Sequence, residues 1–188
     1  MIITVFPGQG SQTPGFLSPW LDLPGVRERL EEFSAAAGVD LVAAGTVADA
    51  DEIRDTSVAQ PLIVAASLVS YDALTDAAGV RPGGVAGHSV GEIAALVAAG
   101  VVTAEDGMRL VGLRGRAMAE AASREATGMA AVLGGDRDAV LALLDELALT
   151  PANHNGAGQI VAAGALDALA ELAAHPVPAS RVIPLQVA

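Results

Sequence analysis

The chain is organised around Gly87-His88-Ser89-Val90-Gly91-Glu92, which follows the short apolar run 84–86 and leads into the apolar run 93–99. This composition predicts a buried strand followed by a helix. The pattern Gly-x-Ser-x-Gly places a serine on a sharp turn between the two, with glycines where side chains would collide with neighbouring backbone. Ser89 is therefore predicted to lie exposed at a helix start, where unpaired N–H groups favour a developing oxyanion.

The N–H of Val90 is the natural first donor to such an oxyanion. On the pattern alone, a glycine-rich turn with a capping serine is an equally good interpretation.

Composition argues against several classes of function. The 188 residues carry a net charge of −12, their ten basic residues are all arginine, and aromatic residues make up 3%. These values argue against nucleic-acid binding. The absence of cysteine and the scatter of the three histidines predict no metal site, and no cofactor is expected. No stretch approaches the roughly 18 apolar residues of a membrane span, and the N-terminus lacks signal-peptide character, so we expect a cytoplasmic protein without a membrane partner.

The loop 7–12, Pro-Gly-Gln-Gly-Ser-Gln, follows the predicted strand 2–6. Open α/β sheets place their sites at such strand ends. Because glycines flank Gln9, its backbone can approach a ligand closely, and its N–H is a candidate second oxyanion donor; a plain Pro-Gly turn is the alternative. The third glycine of a dinucleotide-binding fingerprint is missing.

A helix predicted from Ser57 to Ala78 has few charges and should be almost entirely buried. Gln60 is its unusual residue. A buried glutamine is most often a satisfied core amide, and a ligand-binding role is the alternative.

A further helix, opening at Thr103, carries Arg114 on the side of Leu110, Val111 and Met118. An arginine on an apolar side needs an anionic partner. That partner is either a carboxylate of the protein or a substrate carboxylate, which a guanidinium binds through two hydrogen bonds.

After residue 125 the pattern changes to βαββαβ, a split-βαβ or ferredoxin-like unit. The predicted strands and helices are, in order, 129–133, 136–148, 151–154, 159–163, 166–173 and 181–187. We therefore expect a large subdomain over residues 1–125 and a small one over residues 126–187.

Five motifs, in order and spacing, resemble malonyl-CoA:acyl carrier protein transacylases and the acyltransferase domains of fatty acid and polyketide synthases. They are Phe6-Pro7-Gly8-Gln9-Gly10-Ser11-Gln12, Gln60-Pro61, Gly87-His88-Ser89-Val90-Gly91-Glu92, Leu113-Arg114-Gly115-Arg116-Ala117-Met118 and Asn155-Gly156-Ala157-Gly158-Gln159-Ile160-Val161. The resemblance extends from Phe6 to Ala188. It implies an α/β fold with an α/β hydrolase-like large subdomain and a ferredoxin-like small subdomain.

The resemblance implies a ping-pong transfer in which Ser89 takes malonyl from malonyl-CoA, CoA leaves, and the phosphopantetheine thiol of acyl carrier protein accepts the acyl group. By position, the amides of Gln9 and Val90 match the oxyanion hole, Arg114 matches the arginine that pairs with the malonyl carboxylate, and Met118 resembles part of the acyl pocket.

Three further residues correspond to family positions near the substrate: Gln60, Asn155 and Gln159. In related polyketide acyltransferases, a small or branched apolar residue after the serine tends to accompany malonyl rather than methylmalonyl, which favours malonyl here.

The family's general base is a histidine that follows the last strand of the small subdomain, and the sequence reaches Ala188 before it. His88 is predicted to be a structural hydrogen-bonding residue, and His154 and His175 to be exposed. We therefore expect the base, and the rest of the large subdomain, on a further C-terminal segment of the same enzyme.

Two alternatives stay open. A serine hydrolase or thioesterase would use the same turn with water as acceptor, and a fragment without a base would bind carrier protein without catalysis.

Overall fold

The computed structural model describes residues 1–185, which form a mixed α/β fold, as predicted. The chain divides into two compact units, Met1–Ala119 and Glu120–Ala188.

The first unit contains two parallel strands, β1 (Ile3–Phe6) and β2 (Gly84–Gly87), in a register that pairs Phe6 with Gly87. Its helices are α1 (Val26–Ala37), α2 (Leu41–Thr46), α3 (Thr56–Asp72), α4 (Gly91–Ala98) and α5 (Ala104–Arg124), of which α5 ends inside the second unit. Two 3₁₀ turns cover Ser18–Asp22 and Glu52–Arg54, and a π-helical turn, Ala73–Ala77, extends α3.

Helix α3 lies in the middle of the first unit's core. It begins after Asp55, whose carboxylate accepts a hydrogen bond of 2.8 Å from the N–H of Ser57. Most of its residues up to Val69 are buried, but the segment beyond Val69 is partly exposed, with Leu74 at 37%, so the predicted near-complete burial of 57–78 is correct only for its N-terminal part. With the π-helical turn, the segment Thr56–Asp76 is long and apolar enough to cross a bilayer, but more than half of its most apolar window is packed inside the protein.

Helix α5 differs from the sequence expectation. Its buried positions are mostly small: Gly107, Met108, Val111, Gly112 and Gly115. A side chain at Gly112 would lie 2.3 Å from a carbonyl oxygen of α1, and one at Gly115 would lie 3.0 Å from the carbonyl oxygen of Thr56. The glycines therefore let α5 approach its neighbours closely, and this contact turns Leu110 and Met118 outwards, where they are 47% and 42% exposed.

The second unit follows the order strand, helix, strand, strand, helix, strand. Its elements are β3 (Thr127–Gly134), α6 (Arg137–Glu146), β4 (Thr150–Asn155), β5 (Gln159–Ala165), α7 (Leu166–Ala174) and β6 (Ser180–Leu185). The strands form an antiparallel sheet in the order β4-β5-β3-β6, and the buried sides of both helices join its core. The last two residues of the strand predicted over 181–187 lie outside the described part of the chain.

Candidate active site

The turn between β2 and α4 has the geometry that its glycines predicted. Ser89 lies between the strand and the helix with φ 53°, a left-handed conformation that is costly for any residue except glycine. A Cβ atom at Gly87 would lie 2.2 Å from the backbone of Gly91, and one at Gly91 would lie 2.4 Å from the carbonyl oxygen of Phe6. Neither position can hold a side chain without moving backbone, so both glycines are required to present Ser89 at the surface.

Strand pairing brings the loop 7–12 beside this turn. Because β1 and β2 are parallel and Phe6 pairs with Gly87, the residues that follow each strand leave the sheet at the same edge. The N–H of His88 donates a 3.0 Å hydrogen bond to the carbonyl oxygen of Phe6, which extends the pairing past the strand end. A Cβ atom at Gly8 would lie 2.7 Å from Nδ1 and 3.1 Å from the carbonyl oxygen of His88, so the loop contacts the turn closely at Gly8.

Among residues 1–185, the backbone N–H groups of Gln9, in the loop, and of Val90, directly after Ser89, have no hydrogen-bond acceptor. Val90 lies at the N-cap of α4 and is 1% exposed, which fixes its backbone against the core. The positive end of the α4 dipole also points to this position. A pair of N–H groups beside an exposed serine is the arrangement that stabilises the oxyanion of an acyl-transfer intermediate.

Arg114 lies beside the serine. Its Nη2 atom is 3.5 Å from Oγ of Ser89, and its Nη1 atom donates a hydrogen bond to Oε1 of Gln60. In the part of the chain that the structure describes, no carboxylate pairs with Arg114. Arg109, on the same helix, contrasts with it because its guanidinium pairs with Glu105 and Asp106. A cation held beside an exposed hydroxyl, without an anion of its own, is suited to binding an anionic ligand.

Gln60 connects Arg114 to a second predicted residue. The glutamine is 1% exposed, and both ends of its amide are used: Oε1 accepts from Arg114, and Nε2 donates to Sδ of Met118 at 3.1 Å. The structure therefore brings Gln60, Arg114 and Met118 together in the first unit. The expectation that Arg114 lies on an apolar side is wrong in part, because Met118 on that side is exposed.

The two remaining predicted residues, Asn155 and Gln159, belong to the second unit. They lie at the facing ends of β4 and β5, where they form a register pair. Nδ2 of Asn155 donates a 2.7 Å hydrogen bond to Oε1 of Gln159.

Sequence reasoning assigned no functional role to Thr56 or to Gln12, which connect the loop 7–12 to the start of α3. Oγ1 of Thr56 accepts a 3.2 Å hydrogen bond from Nε2 of Gln9, and Nε2 of Gln12 donates a 3.0 Å bond to the carbonyl oxygen of Ile53. Thr56 lies four residues before Gln60 on a helix that is otherwise apolar, so the two share a face. The four-residue spacing of Thr56 and Gln60 is therefore the sequence signal that could have identified Thr56.

Residues 3–182 match the family model described as the acyl transferase domain. The chain belongs to this acyltransferase family. The malonyl CoA-acyl carrier protein transacylase of Mycobacterium tuberculosis is 53% identical over 191 residues, which cover all of this chain and 63% of that protein.

Solved structures support the same assignment to the acyltransferase family. The crystal structure of MCAT from Mycobacterium tuberculosis has a TM-score of 0.94 and 54% identity, and the match covers all of this chain and 63% of that one. A type II PKS acyl-carrier protein in complex with its malonyl-transacylase gives a TM-score of 0.89 at 35% identity, covering 99% of this chain and 62% of the matched one. The present chain thus spans less than two thirds of the length of these relatives.

Proposed function

We propose that this acyltransferase chain takes part in moving a malonyl group from malonyl-CoA to the phosphopantetheine thiol of an acyl carrier protein, through an acyl-Ser89 intermediate. The observation that carries the proposal is the guanidinium of Arg114 beside the exposed hydroxyl of Ser89, without a carboxylate partner in residues 1–185. A malonyl thioester places its carboxylate two bonds from the carbonyl that the serine attacks, so one cation can bind the carboxylate while the hydroxyl reacts. The names of the relatives at 53% identity support the same substrate.

In the first half-reaction, Oγ of Ser89 loses its proton to a base and forms a bond to the thioester carbon. The carbonyl oxygen becomes an oxyanion, which accepts hydrogen bonds from the N–H groups of Gln9 and Val90. The carbon–sulfur bond then breaks, the CoA thiolate takes up the proton, and malonyl-Ser89 remains.

The second half-reaction runs the same steps with a new acceptor. The phosphopantetheine thiol of the carrier protein gives its proton to the base, and its sulfur attacks the ester carbon of malonyl-Ser89. The second oxyanion occupies the same site, and Oγ of Ser89 leaves with the proton.

The proposal assigns the base to a histidine on a segment beyond Ala188. Two observations support this assignment. Within residues 1–185, the hydroxyl of Ser89 has a hydrogen bond with Arg114 and with no histidine. The relatives are also longer than this chain, which covers 63% of their length.

The remaining predicted residues take substrate-binding roles in this proposal. Arg114 pairs with the malonyl carboxylate, Gln60 orients its guanidinium, and Met118 borders the acyl group. Asn155 and Gln159 are assigned to the substrate region from the family resemblance, and their mutual hydrogen bond keeps both amides in defined orientations.

The architecture proposed for the enzyme follows the same resemblance. Residues 1–125 form an α/β hydrolase-like large subdomain, supported by the parallel β1–β2 pair and the strained serine turn. Residues 126–187 form a ferredoxin-like small subdomain, supported by the antiparallel strand order of the second unit. A cytoplasmic location fits a partner that carries acyl chains in biosynthesis.

The test measures the intact mass of the protein, with any residues that follow Ala188, after brief incubation with malonyl-CoA or acetyl-CoA. We expect one malonyl group to be gained and the gain to disappear in Ser89→Ala. Arg114→Ala should slow malonyl transfer about 10- to 100-fold, the equivalent of the ~1.5–3 kcal/mol of a hydrogen bond to a charged group, and should change acetyl transfer little. Arg109→Ala is the matched control, because it removes an exposed arginine of the same helix.

The outcomes separate the alternatives. Equal losses of malonyl and acetyl transfer in Arg114→Ala would contradict the carboxylate site. Rapid loss of malonyl to water, without transfer to carrier protein, would favour a hydrolase. An adduct that forms only when imidazole is added would indicate that the nucleophile and oxyanion donors are competent and that the sample lacks the base.

A further inference from the structure

Gln12 makes two hydrogen bonds that tie the loop 7–12 to the core. Its Oε1 atom accepts from the N–H of Gly10 at 2.9 Å, and its Nε2 atom donates to the carbonyl oxygen of Ile53 at 3.0 Å. The side chain of Ile53 is 2% exposed, so this carbonyl belongs to a well-packed part of the first unit. The side-chain amide of Gln12 therefore connects the Gln9–Gly10 peptide to the backbone of Ile53, just before α3.

The loop needs such a bridge because its backbone has unusual freedom. Gly10 adopts φ +104°, and nothing lies within 4 Å of the position where its Cβ would be, so packing does not hold it. Gly8, on the other side of Gln9, lies against His88, so the freedom of the loop is on the Gly10 side. The conformation of the backbone around Gln9 therefore depends on the hydrogen bonds that hold Gly10.

A second bond anchors the same loop from its other side. Nε2 of Gln9 donates to Oγ1 of Thr56, whose side chain is 1% exposed. The two anchors end three residues apart, at Ile53 and Thr56, around the start of α3. The backbone of Gln9 is thus held between two contacts with the same rigid region.

We infer that Gln12 is a positioning residue that keeps the N–H of Gln9 directed at the oxyanion formed on the Ser89 acyl group. This inference rests on the proposed function. Gln12 does not contact the reacting atoms. Its Oε1 atom accepts a hydrogen bond from the N–H of Gly10 and so holds the peptide that follows Gln9, while its bond to the carbonyl oxygen of Ile53 fixes the Gln12 amide itself. Preorganised donors are effective because they need no reorientation when charge develops, so a loop that can turn away loses part of this effect.

The inference predicts a characteristic kinetic pattern. Gln12→Met keeps the length of the side chain and removes both hydrogen bonds, and we expect it to lower kcat about 10- to 100-fold. This loss is smaller than the roughly 10²–10³-fold loss seen when an oxyanion donor is removed outright, because the N–H of Gln9 is still present. Both half-reactions should slow by a similar factor, because each passes through an oxyanion at the same site.

The experiment follows malonyl-Ser89 formation and its transfer to carrier protein in rapid-quench mass measurements, using the protein with any residues beyond Ala188. The expected result for Gln12→Met is a lower kcat with an unchanged KM for malonyl-CoA and an unchanged preference for malonyl over acetyl. The urea midpoint should fall by less than about 1 M, which leaves the protein folded in the assay. Gln12→Glu keeps an acceptor for Gly10 but places an oxygen against the carbonyl of Ile53, and we expect it to be equally slow. Arg109→Ala is the control, because Arg109 is an exposed residue of α5 that pairs with Glu105 and Asp106, and it should stay near wild type.

Several results would overturn the inference. They are a wild-type rate in Gln12→Met, a raised KM with unchanged kcat, a urea midpoint lowered by more than about 1 M, and an equal loss of rate in Arg109→Ala. Failure of the proposed function is recognised separately, because wild-type protein would then acquire no malonyl group at Ser89, and the inference would fall with it.

Discussion

Gly91→Ala is the sharpest test of the serine turn. Gly91 begins α4 and has no left-handed backbone, so alanine suits its local conformation and would gain up to about 1 kcal/mol of helix propensity in an isolated helix. The tertiary structure opposes the change. The new Cβ would lie 2.4 Å from the carbonyl oxygen of Phe6 and 2.6 Å from that of Pro7.

The magnitude follows from these distances. Carbon–oxygen contacts in proteins rarely fall below about 3.3 Å, so β1 and the start of α4 must separate by almost 1 Å. Overpacking of this kind costs about 1–3 kcal/mol, and the atoms in contact are backbone, which cannot rotate aside. We expect a net destabilisation of about 2 kcal/mol. A displacement of about 1 Å between Ser89 and the loop 7–12 should also slow acyl transfer about 10²-fold.

The assay is urea unfolding followed by tryptophan fluorescence. Trp20 is the sole tryptophan of the chain and packs against the core of the first unit, so its signal reports on the unit that contains Gly91. With a slope of about 1.5–2 kcal/mol per molar urea, the midpoint should fall by about 1 M. The malonylation rate of Ser89 is measured on the same samples by intact mass.

Gly84→Ala is the matched control on the adjoining strand. A Cβ at Gly84 would meet only Cδ1 of Ile3, at 3.1 Å, and Ile3 is 47% exposed and can move. We expect a change in unfolding free energy within about 1 kcal/mol and a normal malonylation rate. If Gly91→Ala unfolds at the same urea concentration as Gly84→Ala and reacts at its rate, the steric account of the turn is refuted.

Three further changes test other parts of the first unit. Ser89→Gly removes the cost of a left-handed serine, about 1–2 kcal/mol, against a smaller loss of chain entropy, so it should raise the free energy of unfolding by about 0.5–1 kcal/mol while abolishing acylation. Gln60→Glu places a carboxylate against Arg114, and by occupying its charge should reduce malonyl transfer about 10-fold or more while sparing acetyl transfer. Burial, which outweighs the charge of Arg29, raises the pKa of Asp72 above its ordinary value of 3.8. At pH values between 3.8 and the raised pKa, the folded protein binds more protons than the unfolded chain, so stability falls as pH rises. Asp72→Asn should flatten that fall in urea titrations.

Each of these has a contradicting result. Ser89→Ala keeps the left-handed backbone strain and should gain no stability, so an equal gain in Ser89→Ala and Ser89→Gly would argue against backbone strain. Equal effects of Gln60→Glu on the two acyl groups would separate Gln60 from carboxylate recognition. A pH profile of Asp72→Asn that runs parallel to that of wild type would contradict the raised pKa.

Short-range sterics explain why so much of this site could be predicted. The two glycines of Gly-x-Ser-x-Gly are required by atoms within a few residues or on the paired strand, so Ser89, the turn and the following helix could be predicted from one short stretch. The order βαββαβ of the second unit could likewise be predicted from alternating strand and helix periodicity. The ends of these elements shifted by a few residues, because caps and strand pairs determine them.

The sequence by itself determined the family, the position of the serine proposed as nucleophile and the residue types of its turn, because each of these lies in a local motif. The tertiary structure alone decided which residues meet. Gln12 reaches a carbonyl 41 residues away, and Gln60 meets Arg114 and Met118 at separations of 54 and 58 residues. These contacts depend on the pairing of β1 with β2 and on the close crossing of α5 over α3 at Gly115. No local pattern encodes that geometry, because it results from the packing of distant segments against one core.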